Sequence, residues 1–212
     1  MRVGQEARLF NGCGMEARAE LVSESGRDAL FRCMELVQTP ALACRVSLAQ
    51  AVPKGKSMEW IIEKATELGV YSIIPLLTTH TVVQCDEREA LKKQEKWQRV
   101  ALEASKQCGQ NWLPVVEKPC SLRACLQGWG SAEVKWVGSL EKDGVPLRQI
   151  VGGWATVPES ALLLVGPEGD FSPAELADAR ASGCAPVSFG PLTLRSETAA
   201  IFGLSVLAYA MH

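Results

Sequence analysis

The chain has 212 residues, 47% of them hydrophobic, and a formal net charge of −2. That much apolar content supports a true core and excludes wholesale disorder. The near-neutral charge excludes a protein that coats nucleic acid non-specifically, which needs a strong basic excess.

The length allows one medium domain, or a large domain with a small one. No long unbroken apolar run occurs, and the opening Met1-Arg2-Val3-Gly4-Gln5-Glu6 has no apolar signal core. Neither a membrane partner nor secretion is expected. Eight cysteines are spread along the chain without a C-x-x-C pair, and only two histidines accompany them. No metal site and no disulfide scaffold are therefore expected, and reduced thiols in a cytoplasmic protein fit better. No segment is an electrostatic tail, so any RNA contact must come from charges placed by the fold.

Residues 1–50 read as β structure. A strand at Ala7–Phe10 meets the turn Asn11-Gly12-Cys13-Gly14, and two further strands flank Ser25-Gly26. Val46–Ala51 reads as one more short strand of the same unit, part of a small barrel. From Ser57, the apolar residues Met58, Ile61, Ile62, Ala65 and Leu68 fall on one helix face, and Gly69 suits a left-handed stop. Tyr71–Leu77 reads as a buried strand and Asp86–Gln107 as a long helix. Val134–Val137 and Leu162–Val165 read as strands. This alternation predicts an α/β domain with parallel pairing, with a boundary near residue 50.

Two segments carry the chemistry. Leu162–Val165 runs into Gly166-Pro167-Glu168-Gly169-Asp170-Phe171, then Ser172-Pro173-Ala174-Glu175 opens a helix with Ser as cap, Pro first and Glu three residues on. Loops at the carboxyl ends of parallel strands are where such sheets take ligands, and Gly166 and Gly169 let backbone approach one closely. By itself this is also the pattern of an ordinary tight turn. Further on, Val187–Phe189 reads as a strand, followed by Gly190-Pro191-Leu192-Thr193-Leu194-Arg195-Ser196-Glu197-Thr198. The helix Ala199–Ala210 is apolar on nearly every face, so burial on all sides is expected. Capping accounts for Ser196 and Glu197 there. It does not account for Arg195, whose charge is disfavoured at a helix start unless it faces an anion or a polar ligand.

The motifs GPEGDFSPAE and FGPLTLRSETAA resemble those of the RsmE family of 16S rRNA (uracil-N3)-methyltransferases, in the SPOUT class. Pro53-Lys54-Gly55-Lys56, Glu63–Val70 and Glu103–Cys108 follow the same pattern in the same order, so the resemblance spans essentially the whole chain. It implies a trefoil-knotted parallel-sheet α/β domain over residues 51–212. An incomplete PUA-like or OB-like β-barrel for RNA precedes it at 1–50, with the barrel's opening strand and basic stretch missing. It implies methyl transfer from S-adenosyl-L-methionine to N3 of a uridine in 16S rRNA or the small ribosomal subunit, by a homodimer. The cofactor residues it implies are Leu164, Gly166, Pro167, Glu168 and Gly169 in the first loop and Phe189, Gly190, Leu192, Leu194 and Ser196 in the second. Arg195 is the candidate for stabilising charge on the base or contacting phosphate, and Glu197 and Glu168 for positioning or proton acceptance. Lys54 and Lys56 are candidate RNA contacts. Asp170 stands where the family usually has a third glycine, and Gln110 near where an arginine is common. Three other readings are a SPOUT enzyme for a different RNA position, a non-catalytic RNA-binding or ribosome-assembly factor, and an unrelated nucleotide-binding enzyme. The absence of a G-x-x-x-x-G-K-[ST] loop weighs against the last.

Overall fold

The computed structural model describes residues 1–55, 57–81, 85–141 and 143–211. The chain opens with three antiparallel strands, β1 (Glu6–Phe10), β2 (Met15–Ser25) and β3 (Asp28–Gln38), paired in that order. At the β1–β2 turn Asn11 Oδ1 accepts the amides of Cys13 and Met15 at 2.7 and 3.1 Å, so its side chain shapes the turn. Arg8–Glu16, Arg18–Glu6, Arg18–Glu35 and Arg32–Glu20 pair across these strands. Such exposed pairs contribute little each, but alternating signs favour one register. Ala19 and Leu21 are the strands' buried side chains.

The next strand, β4 (Arg45–Ala51), does not join this small sheet. It pairs in parallel with β5 (Ser72–Leu77) on one side and β10 (Ser160–Val165) on the other. This corrects the assignment of Val46–Ala51 to a barrel: the division between the sheets lies at residues 39–44, not near 50. The physical reason is burial on both faces. Six of its seven residues are buried, the state of a central parallel strand rather than of a half-exposed antiparallel one.

The large sheet is completed by β6 (Val115–Val116), β7 (Cys120–Ser121), β8 (Val134–Gly138), β9 (Val145–Pro146) and β11 (Ala185–Ser188). Its order is β6-β5-β4-β10-β8-β11-β9, with β7 beside β5. Helices α1 (Ser57–Glu67), α2 (Glu87–Cys108), α4 (Leu147–Gly152) and α6 (Ser196–Met211) cover one face. Helices α3 (Leu122–Gly128) and α5 (Pro173–Ala181) cover the other. The alternation of a strand's side chains divides the core accordingly: Leu163 and Val165 pack with Leu204 and Leu207, Leu162 and Leu164 with Phe171 and Leu176. The chain leaves β4 towards β5 on one side, while β8, β10 and β11 lie on the other. A sheet whose order reverses in this way opens a crevice at the carboxyl ends of its strands.

The small sheet is held to the large unit by the segment after α2. Gly14 donates to the Asn111 carbonyl at 2.9 Å and Leu113 to the Gly12 carbonyl at 3.0 Å. Trp112 Nε1 donates to the Pro40 carbonyl at 2.9 Å. Within the chain itself, the last helix is buried along one side only. Ala199, Ala200, Gly203, Leu204 and Leu207 face the core, but Phe202 is 42% and Tyr209 87% exposed. A helix in an outer layer packs one stripe against the sheet and turns the other outward.

Candidate functional site

A cavity of about 340 Å3 lies at the carboxyl ends of the neighbouring strands β10, β8 and β11. Three loops wall it. The loop after β10 contributes Gly166, Pro167, Glu168 and Asp170, and the loop after β11 contributes Phe189 through Leu194 and then Ser196. The third wall, Gly138–Glu141 with Gly144 after β8, was not singled out from the sequence. Its signal was a strand ending in Gly138 at the same sheet edge, with Asp143-Gly144 as a turn.

The first loop is held in shape by its own chemistry. Asp170 has φ 60°, a left-handed conformation, which explains why a glycine position tolerates this residue type. Its Oδ1 accepts the Phe171 amide at 2.8 Å. Burial pushes the Asp170 carboxyl up from its ordinary value, although the Phe171 amide pulls it down. His80, after β5, holds the loop from behind: its Nδ1 lies 2.9 Å from the Asp170 carbonyl. A carbonyl only accepts, so Nδ1 carries the proton. Ser172 and Glu175 then form the expected capping box of α5.

A Cβ added at Gly166 would sit 3.1 Å from Asp170 Oδ1 and 3.2 Å from the Phe171 ring, so the loop's fold leaves little room for any other residue. A Cβ added at Gly190, with φ 127°, would meet nothing within 4 Å and would project into open space. The third wall is braced by Arg180 of α5, which pairs with Glu141 and, at 2.9 Å, with Asp143.

Of the residues expected at a cofactor site, Gly166, Pro167, Glu168, Phe189, Gly190, Leu192, Leu194 and Ser196 line the cavity. Leu164 and Gly169 do not. Leu164 is fully buried beneath the loop in the core, and Gly169 packs against His80. Ser196 is not a simple helix cap either. Its hydroxyl donates to the Gly166 carbonyl at 2.6 Å and accepts from Gln50 at 2.8 Å, so it joins the two loops. The Arg195 carbonyl accepts the Ala199 amide at 2.8 Å, so Arg195 is the residue that flanks the start of α6 and takes its first helical bond. Its side chain is exposed beside the cavity rather than part of its lining, and Glu197 is half-buried one residue on. Lys54 is exposed, and its backbone amide donates to Glu168 Oε1 at 3.3 Å. Lys56 lies outside the described residues.

The lining suits a ligand with an apolar, planar part and a few polar groups. Val165, Pro167, Phe189, Leu192 and Leu194 are apolar, while Glu141, Glu168 and Asp170 bring carboxylates. Among the described residues no cluster of His, Cys, Asp or Glu could hold a metal ion, and no helix is long and apolar enough to cross a membrane.

Comparison with known proteins agrees with this geometry. Residues 40–208 match the RNA methyltransferase domain family. The ribosomal RNA small subunit methyltransferase E of Bacillus subtilis is 32% identical over 213 residues, covering 99% of this chain and 83% of that protein. The crystal structure of a ribosomal RNA small subunit methyltransferase E from Neisseria gonorrhoeae, bound to S-adenosyl methionine, superposes with a TM-score of 0.85 at 25% identity. It covers 98% of this chain and 84% of that one. A Legionella pneumophila protein, described as a methyltransferase and solved with bound SAM, superposes with a TM-score of 0.88 at 32% identity, over 99% and 85% of the two chains. The loops that wall the cavity fall inside the matched region, and the chain belongs to the RNA methyltransferase domain family, with the ribosomal RNA small subunit methyltransferase E proteins as its relatives.

Proposed function

We propose that this protein transfers a methyl group from S-adenosyl-L-methionine to N3 of a uridine in 16S rRNA, acting as a homodimer in the cytoplasm on RNA of the small ribosomal subunit. The observation that carries this reading is the cavity between the loops after β10 and β11, inside a fold shared with relatives solved with that cofactor. Residues 1–38 supply a further surface for RNA. When bound, the cofactor supplies a methyl on a positively charged sulfur.

The chain's residues do the rest. Val165, Pro167, Phe189, Leu192 and Leu194 offer apolar surface to the cofactor and keep water from it. Glu168, oriented by the Lys54 amide, and Asp170 and Glu141 supply the acceptors that fix its polar groups. Uracil N3 must lose its proton, which leaves negative charge on the base. Arg195, exposed beside the cavity, is placed to stabilise that charge or to hold an adjacent phosphate. Glu168 and Glu197 are the candidate proton acceptors, and Lys54 and Lys56 the candidate phosphate contacts.

The test is methyl transfer from labelled cofactor to isolated small subunits and to naked 16S rRNA, followed by mass mapping. One methyl at uridine N3 at a single position is expected. Methylation elsewhere would point to a different RNA position, and cofactor-independent RNA binding without transfer would point to an assembly factor.

A further inference from the structure

Gln50 sits at the end of β4 with none of its surface exposed. In the parallel register it stands opposite Val165, the residue before the first cavity loop. Its Nε2 donates to the Ala51 carbonyl at 2.9 Å and to the Ser196 hydroxyl at 2.8 Å. Ser196, 4% exposed, donates in turn to the Gly166 carbonyl at 2.6 Å.

The direction of this chain is fixed by what each group can do. A carbonyl only accepts, so the single hydroxyl proton of Ser196 goes to Gly166. Ser196 must then accept from Gln50, which also faces the Ala51 carbonyl, so Gln50 must present its NH2 to both. That orientation leaves Gln50 Oε1 buried with no partner among the described residues. An unpaired amide oxygen in a sheet interior costs stability, and an apolar side chain of similar size would avoid the cost. Its two donated bonds offset part of that cost; the one to Ala51 is local, and the one to Ser196 reaches 146 residues along the chain to the second cavity loop.

We propose that Gln50 is a positioning residue for the cofactor cavity. Through Ser196 it fixes the Gly166 carbonyl and locks the loop after β10 to the start of α6. Gln50 itself does not line the cavity, whereas Gly166 and Ser196 do. The idea rests on the reading that this cavity takes S-adenosylmethionine.

The experiment compares Gln50→Met, Ser196→Ala and the double variant with the wild type in three measurements. These are amide hydrogen exchange over residues 166–171 without cofactor, melting temperature, and S-adenosylmethionine affinity by calorimetry. Gln50→Met should melt close to the wild-type temperature, since the orphaned oxygen goes together with the two donated bonds. Loop exchange should nevertheless rise and affinity fall, each by about tenfold, as expected for a contact network of this kind. Ser196→Ala deletes one hydroxyl, so it reports on the same link even if Gln50→Met folds poorly. The double variant should lose no more than either single one, because both break one chain. Unchanged loop exchange, additive losses, or a lower melting temperature with unchanged affinity would each overturn the proposal. A wild type that binds no cofactor, alongside raised loop exchange in the variants, would instead sink the cofactor reading and leave the lock itself standing.

Discussion

The Glu175 carboxylate of α5 accepts the backbone amide of Thr79 at 2.8 Å through one oxygen, across 96 residues of sequence. Its other oxygen accepts the amide and the hydroxyl of Ser172, both at 2.9 Å. A residue that reads in sequence as half of a local capping box also ties the segment after β5 to the helix that follows the first cavity loop.

This double duty predicts how Glu175→Gln behaves. Burial pushes the carboxyl up, but the amides of Ser172 and Thr79 together hold it below its ordinary value. A carboxylate with a lowered folded-state pKa stabilises the fold above its unfolded value and loses that contribution as pH falls through the folded one. Glu175→Gln should cost about 1–2 kcal/mol at pH 7, the range for lost caps and charged hydrogen bonds. The wild-type advantage should shrink as the pH falls below the ordinary carboxylate value of 4.5. Urea unfolding of both proteins at pH 7 and pH 4 checks this. A difference that does not narrow on acidification would mean that the charge of Glu175 contributes nothing.

Gly14 governs the attachment of the small sheet. It has φ 87°, and an added Cβ would lie 2.5 Å from the Trp112 ring. Gly14→Ala therefore combines left-handed strain of about 1–2 kcal/mol with an overpacking cost of about 1–3 kcal/mol. The Trp112 bond to Pro40 should weaken with it. Hydrogen exchange should rise over residues 6–38 while β4 and β10 stay protected. Equal loss of protection in both sheets would show that the two unfold as one cooperative unit.

Strands β5, β8, β10 and β11 of the large sheet and the first two cavity walls are legible in the sequence because their signals are local, whereas the two-residue strands β6, β7 and β9 are too short to carry one. Capping boxes, Gly-Pro loops and apolar runs do not depend on distant partners. What is hidden depends on pairing. Val46–Ala51 is a short apolar strand in any reading, and only its neighbours β5 and β10 show which sheet it enters. Ser196 has the composition of a cap, and its bonds to Gly166 and Gln50 exist only once three separated segments meet. Leu164 is adjacent in sequence to cavity residues, but strand alternation turns it into the core. The loop after β8 carries no glycine-rich motif and becomes a wall only through its place at the sheet edge.

Arg195 offers a test of whether binding and chemistry separate at this site. It immediately precedes α6, with an exposed side chain outside the cavity lining. Arg195→Ala should lower methyl transfer by about 10–100-fold while changing cofactor affinity less than twofold, the signature of an interaction made with the base in the transition state. Arg195→Lys should recover only part of the rate, because the planar fork is lost. Single-turnover transfer and calorimetry on the same preparations decide it. Affinity falling in step with rate would move Arg195 into the cofactor site or the helix start.

The exposed stripe of α6 bears on both assembly and the cavity. Phe202 is 42% and Tyr209 87% exposed, on a helix whose other side packs in the core. Aromatic side chains left in water on an otherwise apolar helix are what a self-complementary interface would cover. Phe202 also meets Phe189 edge-to-face, with ring centroids 6.0 Å apart, and Phe189 lines the cavity. A partner seated on α6 would therefore hold Phe202 and, through it, one wall of the cavity. Tyr209→Glu should shift the protein towards monomer at micromolar concentration if the partner covers this stripe, because a charge buried in an apolar contact is left without a counterpart. If the cavity needs the partner, cofactor affinity should fall with the dimer fraction and recover as protein concentration is raised. Phe202→Ala should lower affinity even in a dimer, since the contact with Phe189 is lost directly. Light scattering and calorimetry across a concentration series separate these effects. A wild type that stays monomeric throughout and still binds cofactor fully would show that the exposed stripe has another use.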